Sequence, residues 1–356
     1  MKKPIPAHGS PGFSLVAECL YRNNASGIYY ALIKRGGKQI RRSLKTNDRK
    51  LATRRLADFR EKVARLDPET GSTRLTFGEI AGRWMGTWRA HLRPTSIRSR
   101  EFNIKQLCRT FGTQPVRGIT RVDCEAWAEK RSPGVSASTY NQERDTLRTI
   151  LDYAEREGFV LDNPAKVIVR RKNDKTAIVI PTREQFATLV ETLRVLDPRS
   201  GPAAELVELL AYSGMRKGEA NAFCLADVDF DRGAFTVTGG ELGPKNHEAR
   251  VVPLFPVLRD FLERLQKESP RAANAPLVSI KDAKKALITA CKINGFPHFT
   301  HHSMRHFFVS NCLEKGVDFK TIAAWVGHKD GGLLVAKTYG HLRDTHSYEM
   351  AKRITL

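Results

Sequence analysis

The chain has 356 residues, enough for two or three domains that each bury a core. Lys and Arg number 60 against 38 Asp and Glu, a formal net charge of +22. An excess of that size implies a polyanionic partner, nucleic acid before an anionic membrane surface. No apolar run approaches the ~18 residues that suggest a membrane span, and Met1-Lys2-Lys3-Pro4 has no apolar stretch behind it, unlike a secretory signal. Cys19, Cys108, Cys124, Cys224, Cys291 and Cys312 form no CxxC pair, which suits free thiols in a reducing cytosol. These features predict a soluble, cytoplasmic, multidomain protein that meets nucleic acid and no membrane.

The first segment is the most densely basic. Residues 27–34 read as a strand and 38–44 as its partner, joined at Arg35-Gly36-Gly37 because glycine tolerates positive φ. Thr46-Asn47-Asp48 offers capping side chains to a helix from about Arg49 to Leu66. A cationic hairpin with a basic helix is either a solvated accessory domain or a DNA-contacting module. The second is favoured, because β-ribbons enter grooves while Lys and Arg neutralise phosphates. Its candidate contacts are Lys34, Arg35, Arg41 and Arg42. Residues 67–72 have linker composition. From Thr76 to about Ala165 the apolar residues recur at helical steps, as in Phe77, Ile80, Ala81 and Trp84, and predict a four- or five-helix bundle. Pro94-Thr95 starts the helix that carries Arg98 and Arg100, two further candidate DNA contacts. Residues 167–176, with Arg170-Arg171-Lys172, read as a charged tether. Beyond Pro181 an apolar helix spans Ala203 to Ser213, strands at 234–238 and 249–254 pair, and helices follow near 256–268, 281–293, 303–315 and 318–326. The fold class predicted is multidomain and mainly α with small β-sheets.

A phosphodiester cut without metal needs cationic donors on its nonbridging oxygens, an in-line nucleophile and an acid for the departing oxygen. Arginine suits the first role, because its planar fork binds two oxygens and stays charged. The C-terminal third holds such a set. Arg216 lies at a glycine-marked helix start, with Glu219 three residues on to hold it. Lys245 falls in the turn of the strand pair, and His302 and Arg305 share one helical face at i and i+3. His328 and Tyr339 follow. Each alone reads as an ordinary surface residue. His298, His301, His302 and His306 also cluster, with His302 and His306 at zinc-helix spacing. Ser303 stands where the metalloprotease pattern wants Glu, and no third ligand is evident, so neither metal nor cofactor is expected.

In order, the array Arg216, Lys245, His302-x-x-Arg305, Gly327-His328 and Tyr339 resembles the tyrosine recombinase family, the phage-type integrases. The contexts SGMRKGEA, PKNHEARVVPL, THHSMRHFFVS, WVGH and KTYGH carry the resemblance, strongest over 205–342 and weakest before residue 70. It implies an arm-type DNA-binding domain at 1–68, a helical core-binding domain at 73–168, a linker at 169–179 and a mixed α+β catalytic domain at 180–356. The gap from His328 to Tyr339, through Asp330-Gly331-Gly332, is slightly longer than in compact members. Tyr348 lacks the Tyr-x-His context and reads as packing on a terminal helix with Met350, Ala351 and Ile354.

The resemblance implies that Tyr339 attacks the scissile phosphate and leaves a 3′-phosphotyrosyl link. Arg216 and Arg305 would clamp the nonbridging oxygens, with Glu219 buttressing Arg216. Lys245 would be the general acid, His302 would orient or accept the tyrosine proton, and His328 would donate to the phosphate. It also implies double-stranded attachment-site DNA as substrate, a homotetramer on that DNA joined through the terminal helix, a host DNA-bending protein and a directionality factor. The work expected is integration or excision of a phage or mobile element in a bacterial cytoplasm. A resolvase-type recombinase shares the chemistry, and a catalytically silent architectural protein shares the fold. A type IB topoisomerase shares the nucleophile but needs no arm-binding module.

Overall fold

The computed structural model describes residues 12–35, 38–66, 75–173, 178–196, 201–238 and 249–339. The chain divides into two compact units, residues 1–175 and 176–356.

The first unit opens with an antiparallel sheet in sequential order, β1 (Phe13–Ala17), β2 (Leu20–Asn23), β3 (Tyr29–Arg35) and β4 (Lys38–Ser43). The predicted hairpin is its β3–β4 edge, in register through Ile33 opposite Ile40. Sequence reading missed β1 and β2 for a physical reason. Their turn runs through Cys19 at φ 63°, where no glycine or asparagine marks it, and the register shifts between Leu15 and Ala17. Helix α1 (Arg49–Ala64) starts at Asp48, whose carboxylate accepts from the Leu51 amide at 2.7 Å. Its Ala52, Leu56, Phe59 and Val63 bury against Leu20, Tyr29, Ala31 and Leu44. The strand alternation therefore turns Leu15, Tyr21, Tyr30 and Arg41 to the opposite face.

Four helices follow, α2 (Phe77–Arg89), α3 (Pro94–Phe111), α4 (Arg121–Arg131) and α5 (Ala137–Arg156). Thr76 and Thr120 close capping boxes with Glu79 and Asp123. The core gathers Phe77, Ile80, Trp84, Phe111, Trp127, Leu147 and Ile150, with Trp127 and Tyr140 stacked at 5.8 Å. Glu143 is fully buried and takes a two-pronged bond from Arg131 at 2.6 and 2.7 Å. The stretch expected as a tether is not free over 168–173. Arg144 donates to the Ile168 carbonyl at 2.6 and 2.9 Å, and Asn141 both donates to and accepts from the Arg171 backbone. Those buried polar groups need partners, and the stretch supplies them.

The second unit begins with α6 (Arg183–Val195), which periodicity reading passed over, and the apolar α7 (Gly201–Ser213). After the short α8 (Lys217–Ala220) come β5 (Val228–Asp229), β6 (Ala234–Val237) and β7 (Arg250–Pro253), one antiparallel sheet in that order. The predicted strand pair is β6–β7, with Val237 opposite Arg250 where the connection leaves the sheet. Helices α9 (Pro256–Glu268), α10 (Lys284–Ile293), α11 (His301–Glu314), α12 (Phe319–Val326) and α13 (Leu333–Tyr339) complete it. Leu206, Leu209 and Leu210 of α7 sit at the centre of this core with Phe235, Val252, Leu262 and Met304. No helix among the described residues is long and apolar enough to cross a membrane.

Candidate active site

Three chain reversals meet here. The first follows α7, where Gly214 takes φ 65°, a conformation that side chains resist. The second is Arg216, whose extended backbone caps α8 (φ −73°, ψ 150°). The third ends α12, where Gly327 takes φ 70° and closes the helix in the left-handed conformation.

Arg305 is carried inward by α11, which the Thr300–Ser303 capping box starts. Only 3% exposed, it donates to the Gly214 carbonyl at 2.7 Å and to the Val326 carbonyl at 2.6 Å. Its guanidinium also lies 3.2 Å from Nε2 of His328. Arg216 donates to the Gly327 carbonyl at 3.2 Å and to Oε1 of Glu219 at 2.9 Å. Both arginines therefore grip one turn, Val326-Gly327-His328, from two sides. The predicted set Arg216, Glu219, Arg305 and His328 comes together in one place.

Glu219 is the carboxylate at the centre. Burial alone would push its pKa up, but Arg250 and then Arg216 outweigh that and hold it at about 2. Arg250 at the start of β7 donates to both carboxylate oxygens, at 3.2 and 2.8 Å, and its Nε donates to the Trp325 carbonyl at 2.7 Å. Three arginines against one carboxylate leave the site cationic, as an anionic ligand requires.

Burial and the neighbouring cations lower the pKa of His301, His302, His306 and His328, which favours their neutral rings. Burial, then Arg305 and Arg216, lowers the His328 pKa to about 4. A neutral ring that accepts from Arg305 at Nε2 carries its proton on Nδ1, which is buried without a partner among the described residues. His302 presents surface to solvent, while the packed side of its ring meets His306 edge-on at 4.4 Å. That packing, with Arg305 and Arg216 beyond it, lowers its pKa. His306 is pushed down to about 4 by burial and by His302. His301 turns elsewhere, accepting from the Ala283 amide at 2.9 Å beside the Lys217–Asp282 ion pair. Among the described residues no three His, Cys, Asp or Glu gather as a metal site.

Lys245 lies outside the described residues, as do Tyr348 and the expected terminal helix. Tyr339 is the last residue of α13. Sequence reading missed Arg250, although it stands five residues after Lys245 in the same quoted stretch. One arginine at a strand start carries no signal of its own. The Gly214, Val326 and Gly327 carbonyls were equally silent, being backbone.

The six candidate DNA contacts divide. Lys34, Arg41 and Arg98 are exposed, Arg41 lying over the Phe13 ring at 6.0 Å. The other three are held by neighbours. Arg35 donates twice to the Leu66 carbonyl, at 3.0 and 2.9 Å. Arg42 covers the Phe59 ring and pairs with Asp162. Arg100 lies between Trp84 and Trp88, at 5.3 and 5.4 Å.

The fold is that of DNA-bound integrases. It aligns with a lambda integrase dimer bound to a core site at TM-score 0.64 and 18% identity, over 92% of this chain and 96% of that one. It aligns with the Tn1549 transposon integrase bound to circular intermediate DNA at TM-score 0.62 and 16% identity, over 79% of this chain and 100% of that one. Identities this low speak for the fold alone. Sequence goes further. Residues 181–346 match the phage integrase family. Tyrosine recombinase XerD of Neisseria meningitidis serogroup B is 27% identical over 222 residues, 59% of this chain and 74% of the relative. Tyrosine recombinase XerA of Pyrococcus furiosus is 27% identical over 236 residues, 64% of this chain and 78% of the relative. The family match over 181–346, together with relatives that are tyrosine recombinases, supports a tyrosine site-specific recombinase, an enzyme that breaks and rejoins DNA strands.

Proposed function

We propose that the protein is an integrase of a phage or other mobile element, working through a 3′-phosphotyrosyl intermediate. The observation that carries this is the double grip of Arg216 and Arg305 on the turn that holds His328. Two fixed guanidiniums with a net positive surround suit a phosphodiester whose oxygens gain charge as the reaction proceeds. In this reading the Tyr339 oxygen bonds to phosphorus as the bond to the 5′ oxygen breaks. Lys245 gives that oxygen its proton, and His302, its pKa lowered by burial and the arginines, takes or orients the proton of the tyrosine. His328 would donate to the phosphate from Nδ1, the ring nitrogen that Arg305 does not occupy. The ester formed keeps the energy of the bond broken, so a second strand's 5′ hydroxyl reverses the step without ATP.

Integration, rather than resolution, is favoured by the N-terminal sheet, because the likeness to lambda integrase takes in 92% of this chain. A second DNA-contacting module lets one protein bridge distant sites. We assign DNA binding there to Lys34 and Arg41, and in the bundle to Arg98. The lambda integrase tetramer bound to a Holliday junction, matched at TM-score 0.63 and 18% identity, supports a tetramer here as well. The three functional pieces would then be residues 1–68, 73–168 and 180–356, with cleavage by the last.

Covalent trapping tests the reading. Nicked duplexes tiled across the DNA flanking the gene are incubated in EDTA with wild-type protein and with Tyr339→Phe. An adduct on one tile, in the wild type only, is expected. Efficient relaxation of any plasmid would indicate a topoisomerase. Tight, salt-sensitive binding without any adduct, in the presence of a DNA-bending protein, would indicate an architectural protein.

A further inference from the structure

Arg250 is absent from the array that the sequence motifs define, yet it is tied to the site's framework through Glu219 and the Trp325 carbonyl. Its side chain is 12% exposed and that of Glu219 is 4% exposed, so the pair lies in protein and not on a solvated face. The fork meets both Glu219 oxygens, and Nε reaches the Trp325 carbonyl at 2.7 Å. Glu219 in turn accepts from the Arg216 backbone amide and from the Arg216 guanidinium, each at 2.9 Å. Trp325 is two residues before Gly327, whose carbonyl takes the other end of Arg216. Arg250 thus completes a ring, from β7 through Glu219 to Arg216, through Gly327 to the end of α12, and back.

The ring leaves little slack. A side-chain carbon added at Gly327 would stand 3.0 Å from an Arg250 nitrogen and 3.2 Å from its central carbon. The guanidinium is stacked under the turn that Arg216 and Arg305 both grip. We infer that Arg250 is a positioning residue for strand cleavage, holding Glu219 and the end of α12 so that Arg216 is aimed at the scissile phosphate. This rests on the reading of Arg216 as a phosphate clamp. Lysine cannot replace it, because one ammonium cannot span two carboxylate oxygens and a carbonyl in a fixed plane. Neither is neutralising Glu219 enough, because a neutral partner leaves Arg216 without its second anchor.

Breaking a buried pair by removing one partner is strongly destabilising, so two variants are needed. Arg250→Lys keeps the charge and loses the fork. Glu219→Gln with Arg250→Met removes both charges of that pair together, but also takes the ion pair from Arg216, so Arg250→Lys is the variant that isolates Arg250. Each full-length protein is checked by thermal melting and by affinity for a cleavable duplex. Single-turnover cleavage is then measured at saturating protein. Expected are affinity within about threefold of wild type and cleavage slowed at least tenfold in both, a split typical of lost transition-state contacts, with melting close to wild type for Arg250→Lys and lower for the double variant. Cleavage within threefold of wild type in the folded double variant would overturn the proposal, leaving Arg250 as a mere counter-charge. Equal losses of binding and cleavage would overturn it too. Arg216→Ala separates the two layers. If that variant cleaves normally, the clamp reading itself fails, whatever Arg250 does.

Discussion

Gly214→Ala is the sharpest test of how the site is built. Gly214 sits at φ 65°, and a Cβ there would stand 2.4 Å from Cδ1 and 2.8 Å from Cε1 of Phe308. Phe308, on α11, is 6% exposed and part of the core, so its ring must shift to make room. The left-handed backbone costs a side chain ~1–2 kcal/mol, and overpacking a filled core adds ~1–3 kcal/mol. Together these give ~2–5 kcal/mol, or roughly 4–20 °C in the melting of a unit this size. Two other glycines divide the sum. Gly233 has φ 62° with open space around a Cβ, and Gly218 has open space and no positive φ. Gly233→Ala should therefore show the backbone cost alone, roughly 2–8 °C, and Gly218→Ala neither. Function should follow, because the Gly214 carbonyl is one of the two that hold Arg305. Shifting it misplaces a donor of a kind worth ~10²–10³ in rate. Thermal melting and single-turnover cleavage at 25 °C read the two effects. A Gly214→Ala protein that melts no lower than Gly233→Ala, or that cleaves at the wild-type rate, refutes the reasoning.

Stability should fall on acidification in two stages. The His328 pKa is lowered from 6.5 to about 4 by burial and the two arginines. Below 6.5 the unfolded chain therefore binds a proton that the folded one refuses, and stability declines. Glu219 is held at about 2 against an ordinary 4.5, so its contribution is present above 4.5 and lost as the pH falls toward 2. Urea midpoints taken down the pH scale should show both stages, and Glu219→Gln should shrink the second, to which Glu79, Asp123 and Asp282 also contribute; an unchanged acid limb would contradict the assignment. On the N-terminal sheet, Lys34→Ala and Arg41→Ala should weaken DNA binding and flatten its salt dependence by about one unit each. Arg35→Ala should instead lower stability, since its guanidinium holds the Leu66 carbonyl. A Lys34 variant with unchanged salt slope would remove that residue from the interface. Asp162→Asn should cost under about 1 kcal/mol despite pairing with Arg42 and Lys62, because all three side chains are part-exposed.

What the sequence made legible followed from how local each signal is. The helix from Pro256 to Glu268 has proline at its first position and a full apolar stripe, Leu258, Phe261, Leu262 and Leu265, and its bounds match the expectation. Strands β6 and β7 alternate cleanly and pair as read. By contrast, β1 and β2 turn through Cys19, which no turn rule marks. Within the site, side chains at motif spacing were legible because chemistry demands their type. Their anchors were not, because carbonyls at Gly214, Val326 and Gly327 belong to no residue type. Arg250 shows the same limit from the other side. Its partner Glu219 is 31 residues away in the chain, and only the closure of β7 over α8 joins them. The basic residues fell between these cases. Composition gives their number, but whether an arginine meets solvent or, like Arg100, lies against two indole rings is settled by packing.

The central claim is the chemistry of the covalent link, and mapping that link tests it most directly. Protein trapped on a nicked duplex in EDTA would be digested with trypsin, and the DNA-bearing peptide sequenced by mass spectrometry. The account predicts the nucleotide on Tyr339, in the peptide 338–343, joined through a 3′ phosphate, with a 5′ hydroxyl on the released strand that a kinase can label. A link on Tyr348, in the peptide 344–352, or a 5′-phosphoryl attachment, would contradict it.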